Sequence, residues 1–328
     1  MDKKATASAG ANIAFIKYWG QRDAELRIPL NNSISMTLDA ASTITTVQFH
    51  SESGRDELTL NGQAAPEDGR VRAARHLDVI RDLAGISLKA RVESRNNFPT
   101  GAGIASSASG FAALTAAACK AAGLNRSMDE LSRMARLGSG SACRSIFGGF
   151  VEWEAGSTHA DSFAGPIAPP DHWELADVIA VVSEEQKGVS SAAGQKLAQT
   201  SPFMEARLQV VNRSLPEMRR AIKEKNLRAL GEIIEAEALS MHAVMMTSTP
   251  SLIYWNDGTV ALLQAIRKWR EAGLPAYFTI DAGPNVHIIT ERRYVPDVLE
   301  KLRAVAGVNK TIVCGAGEGV RLLAEHLF

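Results

Sequence analysis

The chain has 328 residues, enough to bury a large core and to form two domains. Lys and Arg number 36, as do Asp and Glu, so the formal net charge is zero. This balance argues against a nucleic-acid or anionic-membrane partner, and no stretch approaches the length of a membrane span. The three cysteines, Cys119, Cys143 and Cys314, lack metal-ligand spacing and predict reduced thiols in a cytoplasmic protein.

The first half of the chain predicts strands and helices in runs. β-branched residues alternate in 42–50, apolar residues recur every three positions in 69–84, and Ser127 with Glu130 forms a capping box. In chain order the predicted elements are strands at 9–16, 42–50 and 57–60, a turn at Asn61-Gly62, a helix at 69–84, a strand at 86–94, helices at 108–122 and 127–138, and a strand at 148–154.

The second half continues in the same way. It predicts a proline-rich loop at 166–170, a strand at 178–182, a loop or helix start at 188–194, one long helix at 214–239, a helix at 257–273, strands at 277–280 and 286–290, a helix at 296–305 and a strand at 311–314. Strict βαβ repeats are absent. We therefore predict an α+β fold with domains at 1–175 and 176–328, each an antiparallel sheet with helices on one side.

A glycine-rich stretch, 97–107, has the form of a phosphate-binding loop that leads into a helix. Gly101 and Gly103 let the backbone approach a ligand, and the following helix N-terminus favours a polyphosphate. The loop lacks the Gly-Lys-Ser/Thr ending of a Walker A motif, and Ser106 stands where a Rossmann fingerprint has its third glycine. Taken alone, the stretch fits a small-residue helix packed on a sheet equally well.

Three further stretches, 17–23, 138–145 and 281–285, hold polar residues between glycines beside apolar strands. With the glycine loop they read Asn-Ile-Ala-x-Ile-Lys-Tyr-Trp-Gly, Asn-Asn-Phe-Pro-Thr-x-Ala-Gly-x-Ala-Ser-Ser-Ala, Gly-Ser-Gly-Ser-Ala-Cys-Arg-Ser and Asp-Ala-Gly-Pro-Asn. In combination these motifs resemble the GHMP kinase superfamily and, within it, the mevalonate diphosphate decarboxylase family, over nearly the whole chain.

The resemblance implies a two-domain GHMP-kinase fold, with an N-terminal domain like ribosomal protein S5 domain 2 and a ferredoxin-like C-terminal domain. It implies a small-molecule substrate, a homodimer, and a reaction that needs ATP and Mg²⁺. A tertiary 3-hydroxyl is phosphorylated, and the phosphate then leaves as the neighbouring carboxylate departs as CO2. The metal is expected to be carried mainly by the ATP phosphates.

The resemblance also implies roles for single residues. Asp281 matches the catalytic aspartate, although a turn-capping carboxylate is the simpler alternative. Arg144 matches an arginine whose planar fork suits a carboxylate, and the alternative is a surface salt bridge. Lys17 is expected near Asp281, where its charge would favour the ionised carboxylate, unless it is a solvated strand-end lysine.

The remaining site residues follow from the same motifs. Substrate-binding roles are implied for Tyr18, Gln21, Arg70, Ser139, Gly140, Ser141 and Ser191. The register of Arg70 is open, because Arg72 and Arg75 begin the same helix. Nucleotide-binding roles are implied for Asn97, Pro99, Gly101, Ala102, Gly103, Ile104, Ala105, Ser106 and Ser107, with Ser107 also a candidate metal ligand.

Two positions depart from the family pattern. Gln21 stands where the diphosphate-using enzymes carry lysine, and Ala192, after Ser191, stands where some bacterial members carry arginine. Fewer cations favour a monophosphate. The sequence therefore predicts decarboxylation of (R)-5-phosphomevalonate to isopentenyl phosphate, with release of CO2, ADP and phosphate.

Three alternatives stay open at this point. Arg22 could replace the missing charge, and the enzyme would then use the diphosphate and make isopentenyl diphosphate. The chain could be a mevalonate 3-kinase that does not decarboxylate, or a non-catalytic ligand-binding relative. Release of ADP and CO2 separates the three: a decarboxylase releases both, a kinase releases only ADP, and a binder releases neither.

Overall fold

The computed structural model describes residues 4–50, 54–98, 106–185 and 188–328. Within these ranges the chain forms two large sheets and a short hairpin, with eight α-helices. The strands of the first part of the chain are β1 (Lys4–Ile16), β2 (Gln21–Asp23), β3 (Ile28–Pro29), β4 (Ser33–His50), β5 (Glu57–Leu60), β6 (Gln63–Ala64), β7 (Lys89–Asn96), β8 (Phe150–Trp153) and β9 (Ala164–Ala168). None of the helices in the described ranges is long and apolar enough to cross a membrane.

The first sheet is built on the long strands β1 and β4. Its order is β14-β1-β4-β7-β5-β6, with β8 beside β4 and β9 beside β8, and β14 (Arg321–Leu323) comes from the end of the chain. The β5–β7 pair is parallel and the other pairs are antiparallel. The register of β1 against β4 shifts between Gly10 and Asn12, a bulge that redirects the end of β1, where Lys17 follows.

Three helices accompany this sheet: α1 (Glu67–Ala84), α2 (Ser106–Ala121) and α3 (Met128–Gly138). The alanine-rich α2 lies directly on β1 and β4, because its small side chains permit close approach. Ser127 caps α3 and forms the predicted capping box with Glu130. This capping box is confirmed, since both of its partners lie within one turn of helix.

The second sheet has the order β11-β12-β10-β13 and is antiparallel throughout. Its strands are β10 (Leu175–Val181), β11 (Tyr277–Thr279), β12 (Val286–Glu291) and β13 (Lys310–Gly315), and the helices of this half are α4 (Ser191–Gln195), α5 (Met204–Lys223), α6 (Leu227–Met246), α7 (Asp257–Glu271) and α8 (Val295–Leu302). Strand, helices, two strands, helix and strand follow one another as in a ferredoxin-like unit. The α+β class is thereby confirmed, and the predicted division between residues 175 and 176 stays a prediction.

Two predicted elements are wrong. The single helix at 214–239 is two helices, α5 and α6, separated where Lys225 adopts a φ of +55° and Asn226 caps α6. The capping pattern at 214–217 lies inside α5, because burial of the helix face outweighs a local start signal. Residues 166–168 of the predicted proline-rich loop belong to the strand β9, and Pro169 and Pro170 lead into a short 3-10 helix. Pro166 is tolerated because β9 pairs only with β8 within the described ranges.

Candidate active site

A cavity between the two halves of the chain is lined by residues from both sheets. It collects side chains from the end of β1, the β2–β3 hairpin, α1, the start of α2, the loop after α3, α4, α6 and the turn after β11. The residues that line it are Asn12, Ala14, Lys17, Tyr18, Trp19, Gln21, Arg27, Arg72, Ser106, Ser107, Ser139, Gly140, Ser141, Arg144, Ser190, Ser191, Ala192, Gln195, Met241, Asp281 and Ala282.

Lys17 and Asp281 form an ion pair in this cavity, with Nζ 2.6 Å from Oδ1. The lysine side chain is 1% exposed and the aspartate 24%, so the carboxylate faces the open space. Burial would raise the pKa of Asp281, but the charge and hydrogen bond of Lys17, together with the charges of His287 and Arg144, outweigh burial and hold that pKa below its usual range. The carboxylate is therefore ionised and available to accept a hydrogen bond.

Arg144 is held by three neutral side chains from the first sheet. Its Nε donates to Ser35 Oγ at 3.0 Å, and its two Nη atoms donate to Ser33 Oγ at 2.6 Å and Asn12 Oδ1 at 3.0 Å. The guanidinium lies 6.0 Å from the ring centroid of Trp153 and is buried. Because these partners carry no charge, and Arg144 forms no carboxylate ion pair within the described ranges, its guanidinium can bind a carboxylate that enters the cavity.

Tyr18 and Gln21 meet on another wall of the cavity. Gln21 Nε2 donates to the Tyr18 hydroxyl at 2.6 Å, and burial raises the pKa of Tyr18 to about 12, so the phenol keeps its proton. Gly140 lies against the Tyr18 ring, and a Cβ there would come within 2.6 Å of it. Ser139 and Ser141 flank this glycine, and the three line the cavity as the motif implies.

Arg27 and Arg72 are two further cations that line the cavity; the motifs imply no role for Arg27, and Arg72 is one of the alternatives that the open register of Arg70 allows. Arg27 Nε donates to Leu137 O at 2.8 Å and Arg72 Nη2 donates to Gly138 O at 3.2 Å, so adjacent carbonyls at the end of α3 hold both guanidiniums. Burial lowers the pKa of Arg72, and the nearby Arg27 charge lowers it further. Within the described ranges neither arginine forms a carboxylate ion pair, and Arg72 Nε is buried without a partner.

Two other arginines are placed outside the cavity. Arg70, expected to bind substrate, pairs with Glu67 on the surface of α1, and Arg72, two positions later, takes the cavity position. Helical rotation of about 100° per residue explains the difference. Arg22, the expected compensating cation, is exposed and donates to Gly156 O at 3.2 Å.

The first residues of α2 reach the cavity mouth. Ser106 and Ser107 line it, and the Ser107 hydroxyl lies 3.1 Å from Ser139 Oγ. Asn97 is instead used by the sheet: its side chain accepts from Ser42 N and donates to Ala40 O. The other predicted nucleotide-binding residues lie outside the described ranges: Pro99, Gly101, Ala102, Gly103, Ile104 and Ala105.

Two further cavity residues were not assigned a role from sequence. Asn12 Nδ2 donates to Ser141 O at 3.1 Å, which ties β1 to the loop that carries Arg144. Gln195 accepts from Gly20 N at 2.5 Å and donates to Tyr18 O at 3.1 Å, which fixes the backbone after Lys17. Asn12 opens the Asn-Ile-Ala motif and could have been found there, whereas Gln195 lies in no motif.

Comparison with known proteins covers both halves of the chain. The model of the diphosphomevalonate decarboxylase-like N-terminal domain matches residues 9–164, and that of the mevalonate 5-diphosphate decarboxylase C-terminal domain matches residues 177–318. Diphosphomevalonate decarboxylase of Candida albicans is 37% identical over 98% of this chain and 99% of its own.

Solved structures of mevalonate diphosphate decarboxylases are similar to this chain over nearly its whole length. Mevalonate diphosphate decarboxylase from Staphylococcus aureus superposes with a TM-score of 0.94 at 40% identity, over 98% of each chain. MDDEF in complex with MVAPP, AMPPCP and magnesium superposes with a TM-score of 0.92 at 41% identity, again over 98% of each chain. The chain belongs to the mevalonate diphosphate decarboxylase family of the GHMP kinase superfamily, a family of ATP-dependent carboxy-lyases, as its motifs predict.

Proposed function

We propose that this enzyme converts (R)-5-diphosphomevalonate and ATP to isopentenyl diphosphate, CO2, ADP and phosphate. The observation that carries the proposal is that one cavity holds the Lys17–Asp281 pair, Arg144 and two further guanidiniums. These groups meet the three needs of the reaction: a hydroxyl to orient, a carboxylate to hold and a second anionic group to bind.

Asp281 accepts the hydrogen bond of the substrate 3-hydroxyl while the hydroxyl oxygen bonds to the γ-phosphorus of ATP and the bond to ADP breaks. The hydroxyl proton passes to Asp281 as the new bond forms. An aspartate whose pKa is held low by Lys17 is a weak base for an alcohol. Its main contribution is therefore to orient the hydroxyl oxygen for in-line attack, with Lys17 stabilising the negative charge that develops there.

Arg144 binds the substrate carboxylate that leaves as CO2. Its guanidinium is fixed by Ser33, Ser35 and Asn12 before substrate arrives, so little side-chain freedom is lost on binding. The 3-phosphate departs as the bond to the carboxylate carbon breaks, and its electron pair forms the alkene. Retention of Arg144 beside Asp281 favours this outcome over a kinase that stops at phosphorylation.

The diphosphate, rather than the monophosphate that the sequence predicts, is the substrate we propose. Gln21 and Ala192 remove two cations relative to the family pattern, but Arg27 and Arg72 supply two in the same cavity. Guanidinium groups without carboxylate partners suit a second phosphate. The named relatives are also diphosphate enzymes.

The start of α2 fits the nucleotide. A helix N-terminus and the hydroxyls of Ser106 and Ser107 face the cavity, which is the donor set that phosphate oxygens require. Mg²⁺ would be held by ATP phosphates with Ser107 as a protein ligand, and it would neutralise charge on the transferred group.

Turnover by the Asp281→Asn variant tests this assignment. Release of ADP and CO2 from (R)-5-diphosphomevalonate should fall about 10²- to 10⁴-fold, because an amide cannot replace the charged acceptor. Asp257→Asn, at the exposed start of α7, is the matched control and should match the wild type. Near-normal turnover by Asp281→Asn would reject the assignment, and ADP without CO2 from the wild type would favour the kinase.

A further inference from the structure

One helix, α6, contacts the backbone of both members of the Lys17–Asp281 pair. Lys17 follows β1 in the first sheet, and Asp281 lies in the turn after β11 of the second. The two residues are 264 positions apart in the chain. Their side chains can meet only when the two halves of the chain are correctly positioned relative to each other. Two side chains of α6, Glu237 and His242, contact the backbones of Lys17 and Asp281.

Glu237 holds the backbone of Lys17. Its Oε2 accepts from Lys17 N at 3.1 Å and from Arg207 Nη2 at 3.2 Å, and the same Nη2 donates to Lys17 O at 3.1 Å. Asn31 Nδ2 donates to that carbonyl as well, at 3.0 Å. Both polar groups of the Lys17 backbone are thus occupied by a buried ion pair, with each partner about 1% exposed.

His242 holds the backbone of Asp281, with Nε2 3.1 Å from Asp281 O. A carbonyl oxygen only accepts, so Nε2 carries the hydrogen and donates it. The ring packs against Trp255 with centroids 4.9 Å apart. Burial and the nearby Lys17 charge lower the pKa of His242 to about 3, so the imidazole is neutral.

Glu237 also affects the charge state of Lys17. Burial lowers the pKa of Lys17, the carboxylates of Asp281 and Glu237 oppose that, and the Arg144 charge adds to it. Within the described ranges these three are the charged groups that face the ammonium, and His242 beside them is neutral. Burial raises the pKa of Glu237, and the Arg207 and Lys17 charges and the hydrogen bond from Lys17 N oppose that rise, so Glu237 acts on Lys17 as an anion above its raised pKa. Removing this charge should therefore lower the pKa of Lys17.

We propose that Glu237 and His242 are positioning residues, through which α6 aligns Lys17 with Asp281 for phosphate transfer. Neither lines the cavity, so they act on the backbone of the residues that do. The proposal rests on the proposed function, in which Lys17 and Asp281 contact the reacting atoms. In this proposal the relative placement of Lys17 and Asp281 depends on α6, the helix that contacts both halves of the chain.

Glu237→Gln is the first test, with Glu235→Gln as its matched control. Glu235 lies on the same helix, pairs with Arg270 at 2.7 and 3.0 Å, and accepts from Phe278 N at 3.2 Å, but it does not line the cavity or contact Lys17. Glu237→Gln should lower kcat about ten- to hundredfold with little change in KM, as expected for a small misplacement of reacting groups.

The pH profile separates positioning from a loss of stability. In Glu237→Gln the fall in kcat on the basic side should move to lower pH, because Lys17 loses its proton more readily, and in Glu235→Gln it should not move. Equal kcat and an unchanged basic limb in the two variants would overturn the role of Glu237. If Glu237→Gln does not fold because Arg207 is left unpaired, the double variant Arg207→Met/Glu237→Gln removes both charges. Its kcat and the basic limb of its pH profile are then compared with those of Glu235→Gln in the same way.

His242 is tested by a conservative pair. His242→Gln keeps an N–H that can donate to Asp281 O and should retain more kcat than His242→Leu, which cannot donate. Wild-type kcat in both would overturn the role of His242. A wild type that does not use the diphosphate, or an active Asp281→Asn, would reject the proposed function instead, so the two failures are distinguishable.

Discussion

Gln21 and Arg27, six residues apart, contribute a neutral and a charged side chain to the same cavity. The neutral amide of Gln21 bonds to the Tyr18 hydroxyl, and the guanidinium of Arg27 reaches the cavity from the end of the same hairpin. Arg27 adopts a φ of +53°, which turns the chain back before β3. A comparison with the family motif detects the missing lysine at Gln21 but says nothing about Arg27, which lies beyond the motif. Composition and motif spacing could not predict that Arg27 lines the cavity, because its position depends on how the hairpin folds.

Arg27→Gln should raise KM for (R)-5-diphosphomevalonate about ten- to hundredfold, since a hydrogen bond to a charged group contributes about 1.5–3 kcal/mol. Adding Gln21→Lys to that variant should restore much of the affinity by returning a cation to the same cavity. Arg22→Gln is the control and should leave KM unchanged, because Arg22 is exposed and bonds to Gly156 O. A larger effect from Arg22→Gln than from Arg27→Gln would reject this role for Arg27.

At the scale of single elements, sequence patterns such as caps and turns predict the structure correctly where the interacting residues are close in sequence. The Ser127 capping box is confirmed for this reason, and so is the Asn61-Gly62 turn, where both residues have positive φ. The break between α5 and α6 was missed, because apolar residues continue on both sides of it and the packing of the two helices decides where it falls. The sequence does not predict the strand β14, because its three residues are too few to show a pattern and form a strand by pairing with β1.

Gly231 in α6 offers a test of how closely this helix packs. A Cβ at Gly231 would lie 2.1 Å from the ring of Tyr277, whereas a Cβ at Gly110 in α2 meets nothing within 4 Å. Gly231→Ala should reduce the free energy of unfolding by about 1–3 kcal/mol through overpacking. Gly110→Ala should increase it by up to about 1 kcal/mol, through helix propensity. Urea denaturation of both variants measures the change in the free energy of unfolding. Equal changes in the two variants would contradict the packing of Gly231 against Tyr277.

At the scale of the whole molecule, the site exists only when both halves are docked. One apolar cluster joins them, with Ile13 and Phe150 from the first sheet and Leu215, Met218 and Ile289 from the second half. The sequence predicted two antiparallel sheets, and the family resemblance predicted that Lys17 lies near Asp281. Neither indicated the buried ion pair between Glu237 and Arg207, because each residue alone looks like a solvated charge on an amphipathic helix.

Two buried histidines, one in each half, should make global stability sensitive to acid. Burial lowers the pKa of His76 from 6.5 to about 4 and that of His242 to about 3. The unfolded chain then binds more protons than the folded one below about pH 6.5, so stability is present above that pH and is lost as pH falls. Each histidine should add a slope of up to about 1.4 kcal/mol per pH unit.

His76→Gln should flatten the dependence of unfolding free energy on pH between 6.5 and about 4. His326→Gln, at an exposed position near the end of the chain, is the control and should keep the wild-type slope. Chemical denaturation at a series of pH values provides the comparison. A wild-type slope in His76→Gln would show that this ring is not neutral and buried in solution.

The most direct test of the proposed function compares (R)-5-diphosphomevalonate and (R)-5-phosphomevalonate side by side, with ADP and CO2 both measured. We predict a large preference in kcat/KM for the diphosphate and one CO2 released for each ADP. A preference for the monophosphate would contradict the proposal, since it would mean that Arg27 and Arg72 do not bind a second phosphate and that the loss at Gln21 decides the substrate.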